Sequence, residues 1–264
     1  MDLELGNKLA LVSGSTAGIG FAIAQGLARE GARVLVNGRT EERVNAAIVT
    51  IKQKYPAASV EGFAGDLSLA KAADEVIGRF PDIEILVNNL SIFEPKPFTE
   101  IPDDDWRRFF EVNVLSGVRL SRGLLPRMLK RDWGRIVFIS SESALQIPAE
   151  MIHYGMTKTA QLAVARGLAE LTVGTGVTVN SVLPGPTASE GVTDFVSKLA
   201  KDNNQTVEEF EKLFFEKVRP SSLLKRFASC EEVANLVVYV CSPLASATNG
   251  AALRVDGGVV RAIV

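Results

Sequence analysis

The sequence predicts an α/β fold, a parallel sheet of about seven strands covered by helices on both faces. Three observations carry it: short apolar, β-branched runs recur along the chain, segments of helical periodicity separate most of them, and helix start and stop signals fall at the joins. With 264 residues, 47 % of them hydrophobic, and no repeat or low-complexity linker, residues 1–264 read as one domain.

The first strand is Leu9–Val12. It leads into Ser13-Gly14-Ser15-Thr16-Ala17-Gly18-Ile19-Gly20 and then Phe21-Ala22-Ile23-Ala24 at helical spacing, giving strand, glycine-rich turn and helix in succession. Gly31, after Arg29-Glu30, stops that helix, and Arg33–Val36 is the second strand. Thr40 before Glu41-Glu42 starts the next helix. Further strands are expected at Val60–Phe63, Ile83–Val87, Arg135–Ile139, Val177–Val182 and Ala252–Val255. Asp103-Asp104-Asp105 opens a long helical stretch, and Ser229 with Glu232 three residues on forms a capping-box signal. Residues 186–226 differ: they are charged and helical in pattern, carry Phe195, Phe210, Phe214 and Phe215, and contain no strand, so they read as an excursion from the sheet.

Composition excludes several function classes. The 29 basic and 31 acidic side chains are interleaved, so no basic stripe points to nucleic acid or an anionic membrane. Cys230 and Cys241 are too few for a disulfide framework and lack neighbours at metal-ligand spacing, which implies a reducing, cytoplasmic setting and no metal. Residues 1–8 match no signal peptide, and no segment is long enough to span a bilayer. A serine hydrolase is unsupported, since no Gly-x-Ser-x-Gly elbow is present.

Two local patterns carry chemistry. The glycines of the first turn let the backbone approach a pyrophosphate, whose charge then sits at the positive end of the helix. Their spacing is Gly14-x-x-x-Gly18-x-Gly20, and Ser15 and Ile19 stand between them. At the end of the second strand, Val36-Asn37-Gly38-Arg39, no carboxylate is available for the ribose 2′-hydroxyl of NAD, whereas Arg39 suits the 2′-phosphate of NADP; the expected cofactor is NADP(H). Farther on, Tyr154 and Lys158 lie four residues apart, on one helix face. At about 4 Å and an effective dielectric near 20, a lysine would stabilise the phenolate by about 4 kcal/mol, or about three pKa units. A tyrosine so placed is expected to exchange protons near neutrality.

With Asn88-Asn89, Asn113 and Ser141 added in order, the whole chain resembles a classical short-chain dehydrogenase/reductase. The resemblance implies a Rossmann-type doubly wound sheet with residues 186–226 as a helical substrate lid. It implies that Ser141, thirteen residues before Tyr154, is the catalytic serine rather than Ser140 or Ser143. Asp66-Leu67 then resembles the adenine-contacting pair, Asn88 joins the cofactor set, and Pro184-Gly185 with Thr187 resembles the nicotinamide-side loop. In the implied mechanism Tyr154 is the general acid or base and Ser141 hydrogen-bonds the same substrate oxygen. Lys158 lowers the tyrosine pKa and holds the nicotinamide ribose, and Asn113 holds a water linking the lysine to solvent. The chain departs from the family at Asn88-Asn89-Leu90-Ser91, where Ala-Gly usually follows the asparagines, and at Ser13, which replaces a threonine and keeps the hydroxyl. Enoyl reductases place the lysine further from the tyrosine, so the spacing favours carbonyl chemistry.

The expected activity is the interconversion of a ketone or aldehyde and an alcohol. A 3-oxoacyl-thioester reductase is the enzymatic alternative; its carrier protein needs a basic surface, for which Arg127, Lys130 and Arg131 are candidates. A non-catalytic NADP sensor would need only the glycine turn, and Ser141, Tyr154 and Lys158 argue against it. Leu90, Phe93, Glu94, Glu142, Glu150 and Met151 are candidate pocket residues, and His153 is read as structural or substrate-adjacent. The resemblance implies a homodimer or homotetramer.

Overall fold

The computed structural model describes residues 2–191 and 206–263. Strands β1 (Leu9–Val12), β2 (Arg33–Gly38), β3 (Val60–Ala64), β4 (Ile85–Asn88), β5 (Gly134–Ile139), β6 (Val177–Pro184) and β7 (Ala252–Val255) form one sheet in the order 3-2-1-4-5-6-7. Every pairing is parallel. The side-chain period of two sorts each strand between two cores. On β1, Ala10 and Val12 pack with Ile23 and Leu27 of α1 (Gly18–Arg29), Ile51 of α2 (Glu41–Lys54) and Val237 of the helix at Cys230–Val240. Leu9 and Leu11 point the other way, to Val76 of α3 (Ala70–Arg79) and to helices farther along the chain. Both faces are therefore covered, which is why the strands read as near-continuous apolar runs.

The strand ends differ from expectation by a few residues. β2 continues through Asn37 and Gly38 because β3 supplies partners as far as Gly38↔Ala64, and β6 reaches Pro184 opposite Val255. Ile83 lies ahead of β4, buried but unpaired in the sheet. The expected long helix from Asp103 runs as α4 (Asp103–Phe110), one widened π-helical turn (Glu111–Leu115) and α5 (Ser116–Lys130). The next helices are α6 (Ile152–Glu170), α7 (Val207–Leu213) and α8 (Cys230–Val240). The capping box at Ser229 and Glu232 is formed, and Thr40 accepts from the Arg43 amide. Of the 186–226 excursion, α7 and a π-helical turn at Phe214–Val218 are described, whereas Phe195 lies outside the described residues. No described helix is long and apolar enough to cross a membrane.

β1 pairs with β2 on one side and β4 on the other, so the chain leaves neighbouring strands in opposite directions at their carboxyl ends. Such a switch point opens a crevice beyond the strand ends, and the chemistry-bearing residues collect there.

Candidate active site

The crevice begins with the turn after β1. The Ser13 hydroxyl donates to the Val87 carbonyl (3.3 Å) and accepts from the amides of Asn89 (2.9 Å) and Leu90 (3.0 Å), tying the ends of β1 and β4 together. The Asn89 side-chain amide donates to the carbonyls of Ser13 (2.9 Å) and Gly14 (3.0 Å). Gly20 fits beneath them only because it lacks a side chain: a Cβ there would lie 2.4 Å from Asn89 Nδ2 and 2.5 Å from the Gly14 carbonyl oxygen. Gly18 has φ +57°, a left-handed conformation that opens α1. No side chain caps α1 at Ala17 and its first turn holds no acid, whereas α2, α7 and α8 each start with a capping Thr40, Thr206 or Ser229. The first amides of α1 face a cavity of about 850 Å³ lined by Gly18, Ile19 and Gly20. Arg39 lies on its wall with Arg43, one turn into α2, which reaches Glu190 at 3.8 Å. An uncapped helix start and two guanidinium groups are a donor set matched to a diphosphate and a further phosphate, so the residues present fit a nicotinamide dinucleotide.

Several residues expected at the cofactor stand behind this surface. Gly14 and Ser15 shape the turn from beneath: the Gly14 amide donates to Asn37 Oδ1 (3.0 Å), and the Ser15 hydroxyl donates to the Val12 carbonyl (2.7 Å). Asn88 is the last residue of β4, and the strand alternation turns its side chain to Ser121 of α5 (3.2 Å), leaving Asn89 as the asparagine on the cavity wall. Asp66 accepts from the Ser68 amide and hydroxyl, and Leu67 is buried in the second core, so neither lines the cavity. Pro184, Gly185 and Thr187 do line it.

Ser141 follows β5, and Tyr154 and Lys158 face the same cavity from α6. The lysine is 2 % exposed, and its ammonium donates to the Ile139 carbonyl (2.9 Å) and to Gln161 Oε1 (3.4 Å). Gln161 in turn donates to the Asn113 carbonyl (2.6 Å). Asn113 sits in the widened turn between α4 and α5, where its side chain accepts from the Ile92 amide (2.8 Å) and donates to Thr157 Oγ1 (3.0 Å). It is a buried brace between the β4 loop and α6 and does not line the cavity.

The acidity of Tyr154 departs from expectation. Its phenol is held above its usual range, first by burial and then by the negative charge of Glu142, against smaller opposing effects of Ser141 and Arg219. Lys158 Nζ is 5.5 Å from the tyrosine ring centre and turned to the β5 carbonyl, and burial lowers its own pKa to about 7. Four-residue spacing sets which helix face a side chain occupies, but burial and a third charge set the acidity.

That third charge belongs to a cluster. Glu142 is 5 % exposed and accepts, through Oε2, from the hydroxyls of Ser141 (2.5 Å) and Ser143 (2.9 Å) and the Ser143 amide (2.7 Å). Its Oε1 accepts from Arg219 Nε (3.0 Å), and Arg219 Nη1 reaches Glu150 (3.2 Å). Arg219 closes the turn after α7, and nothing in the local sequence marks it or Gln161 as a site residue; Arg43 had a signal, lying one helical turn beyond Thr40. Phe93 stands edge-on to the tyrosine ring, with centroids 6.4 Å apart. Phe93, Glu142, Glu150 and Met151 line the cavity, but Leu90 packs on the second core and Glu94 pairs with Arg108 (2.9 Å). His153 points away from the cavity, its ring centre 4.0 Å from that of Phe109 and both nitrogens buried without partners among the described residues, and desolvation lowers its pKa.

Comparison with known proteins agrees with this geometry. Residues 14–260 match a family model described as enoyl-(acyl carrier protein) reductase. The uncharacterized oxidoreductase YvaG of Bacillus subtilis (strain 168) is 50 % identical over 263 residues, covering 100 % of both chains. The 3-oxoacyl-[acyl-carrier-protein] reductase FabG of Aquifex aeolicus is 35 % identical, over 98 % of this chain and 100 % of its own. Among solved structures, L-sorbose reductase of Gluconobacter frateurii, complexed with NADPH and L-sorbose, superposes with a TM-score of 0.93 at 32 % identity, covering 100 % of both chains.

Proposed function

Because the chain belongs to the short-chain dehydrogenase/reductase family, we propose that it is an NADP(H)-dependent oxidoreductase interconverting a ketone or aldehyde and an alcohol, with Tyr154 as general acid and base. The observation that carries the reading is the opening of Ser141, Tyr154 and Lys158 into the same cavity as the uncapped start of α1. Gly18, Ile19 and Gly20 would hold the diphosphate, Arg39 and Arg43 the 2′-phosphate, and Pro184, Gly185 and Thr187 the nicotinamide side. The nicotinamide, when bound, supplies or accepts the hydride.

The protein's own part is the proton. A phenol held above its usual range stays protonated at neutral pH, so Tyr154 stands ready as the acid in the reducing direction. Alcohol oxidation needs the phenolate and is favoured as pH rises. Lys158 spends N–H groups on Ile139 and Gln161 and keeps a further one for the cavity, where it would meet the ribose hydroxyls. Asn113, through its carbonyl and Gln161, fixes the position of that ammonium.

The 35 % identity with a 3-oxoacyl-[acyl-carrier-protein] reductase supports the thioester alternative. The charge distribution argues against it. Arg127 and Arg131 bond the carbonyls of Ile77 and Ile83 at the end of α5, just before β5 begins, whereas the cavity lies beyond the end of β5. A carrier bound there would be at the wrong end of the sheet. Assembly as a homodimer or homotetramer in the cytoplasm belongs to the same proposal. Its test is NADPH absorbance with a panel of ketones, aldehydes and acetoacetyl thioesters. Tyr154→Phe is expected to lower turnover by roughly 10²-fold or more while NADPH binding persists. Unchanged turnover in this variant would falsify the proton-transfer role, and faster use of thioesters than of ketones would favour the alternative.

A further inference from the structure

The Ser141 hydroxyl has one proton, and that proton is already committed. It is directed at Glu142 Oε2 over 2.5 Å, while the oxygen accepts from the Ser143 amide at 3.1 Å. On the reading of the active site given above, the same proton must reach the substrate oxygen. A simple ketone offers a neutral acceptor in exchange for a carboxylate, and hydrogen bonds to ionised acceptors are the stronger ones. Arg219 pairs with Glu142: its Nε donates to Oε1 at 3.0 Å, and the pair is almost wholly buried. Glu142 Oε2 keeps the Ser143 hydroxyl and amide when the serine turns away, and a substrate that brings its own donor replaces the one bond that is lost.

We propose that Glu142, fixed by Arg219, selects a carbonyl with a hydroxyl on the neighbouring carbon, so that the substrate is an α-hydroxy ketone or aldehyde and, in reverse, a vicinal diol. Oxygens on adjacent carbons can lie about 2.8 Å apart, an ordinary hydrogen-bonded separation. That matches the 2.5 Å between Ser141 Oγ and Glu142 Oε2, so the carbonyl oxygen meets the serine and the hydroxyl meets the carboxylate. An ionised carboxylate only accepts, so it favours a hydroxyl over an ether or a second carbonyl at that carbon. The rest of the cluster excludes anions. Arg219 is shared between Glu142 and Glu150, so the three side chains carry a net charge of −1 and leave no unmatched cation for a substrate carboxylate. A 3-oxo acid or thioester brings no proton to Glu142, whereas a ketol does.

The experiment compares 1-hydroxy-2-butanone with 2-butanone by NADPH oxidation at neutral pH. The wild-type enzyme is expected to favour the hydroxy ketone by about tenfold or more in kcat/KM, the scale of one charge-assisted hydrogen bond. In Glu142→Ala that ratio is expected to fall to about one. If Glu142→Ala does not fold, the isosteric Glu142→Gln is read in the same way, and the wild-type ratio decides by itself should neither fold. A wild-type ratio near one with both ketones reduced overturns this proposal and leaves the carbonyl–alcohol reading standing, as does a high ratio that persists in the variant. Oxidation of NADPH by neither ketone nor by any member of the wider panel removes both.

Discussion

Backbone builds one wall of the cavity and charged side chains build another. From Ala17 to Gly20 the chain offers amide groups and bare glycines, with no ionisable group in the first turn of α1. Around Glu142, Glu150 and Arg219 it offers buried charge, held by hydrogen bonds between segments up to 77 residues apart. A backbone wall recognises what every dinucleotide shares, a diphosphate, and costs little to keep folded because its amides belong to a helix in any case. A wall of buried charge is expensive in desolvation and stands only because each of its charges is paired and hydrogen-bonded. The two walls of this cavity therefore have different physical origins, one in helix amides and the other in paired side-chain charge.

The difference can be attacked from several sides. The largest effect is expected where charge is buried between the walls. Lys158 has its pKa lowered to about 7 from an unfolded value of 10.5, so between these values the unfolded chain binds more protons than the folded one. Stability from this group therefore rises as pH goes from about 7 toward 10, by at most about 1.4 kcal/mol per pH unit. Lys158→Met should lack that rise; thermal melts of both proteins at several pH values measure it, and parallel curves would show that the lysine is not held at a cost. Next comes the backbone wall. Gly20→Ala sets a methyl group within 2.4 Å of Asn89 Nδ2 and 2.5 Å of the Gly14 oxygen, and NADPH affinity should fall about tenfold or more as the turn is displaced. A fluorescence titration giving wild-type affinity would separate the glycine turn from cofactor binding. A smaller change is expected at its rim: Arg39→Ser should raise the Michaelis constant for NADPH about five- to tenfold and leave that for NADH nearly unchanged, because only the extra phosphate loses a partner. Equal effects on both cofactors would reassign Arg39 to the fold. Smallest is Ser229→Ala, remote from both walls, which removes the α8 cap at a cost of about 1 kcal/mol and should lower Tm by about 2–4 °C without altering either Michaelis constant.

The same division explains what could be read from the amino-acid sequence. Strands, caps and the glycine turn are local patterns, and β1 and β7 occupy the residues expected of them. The turn residues lie within a few positions of one another, so their spacing and their place between a strand and a helix could be read directly. Arg219 meets Glu142 only because the chain returns to the site after α7, and neither residue type nor spacing announces that meeting. Asn88 and Asn89 illustrate a finer limit. A pair of asparagines marks the end of β4, but which one faces the cavity depends on strand phase, and phase gives Asn88 to Ser121 and Asn89 to the glycine turn. Tyr154 was legible as a position, whereas the direction of its pKa shift was not, since its proton affinity follows from burial and from a carboxylate on another element.

His153 carries a consequence for how this enzyme's pH–rate profiles are to be interpreted. It is the chain's only histidine, and it is enclosed against Phe109 and Trp106 with its nitrogens unpartnered among the described residues and its proton affinity reduced. The side chain that ordinarily accounts for an inflection near neutrality therefore has its own inflection displaced to lower pH. With the imidazole shifted down and the Lys158 ammonium brought down to about 7, an inflection near pH 7 in the rate is expected to follow the charge on Lys158, so that one buried ammonium can be tracked by kinetics without a label.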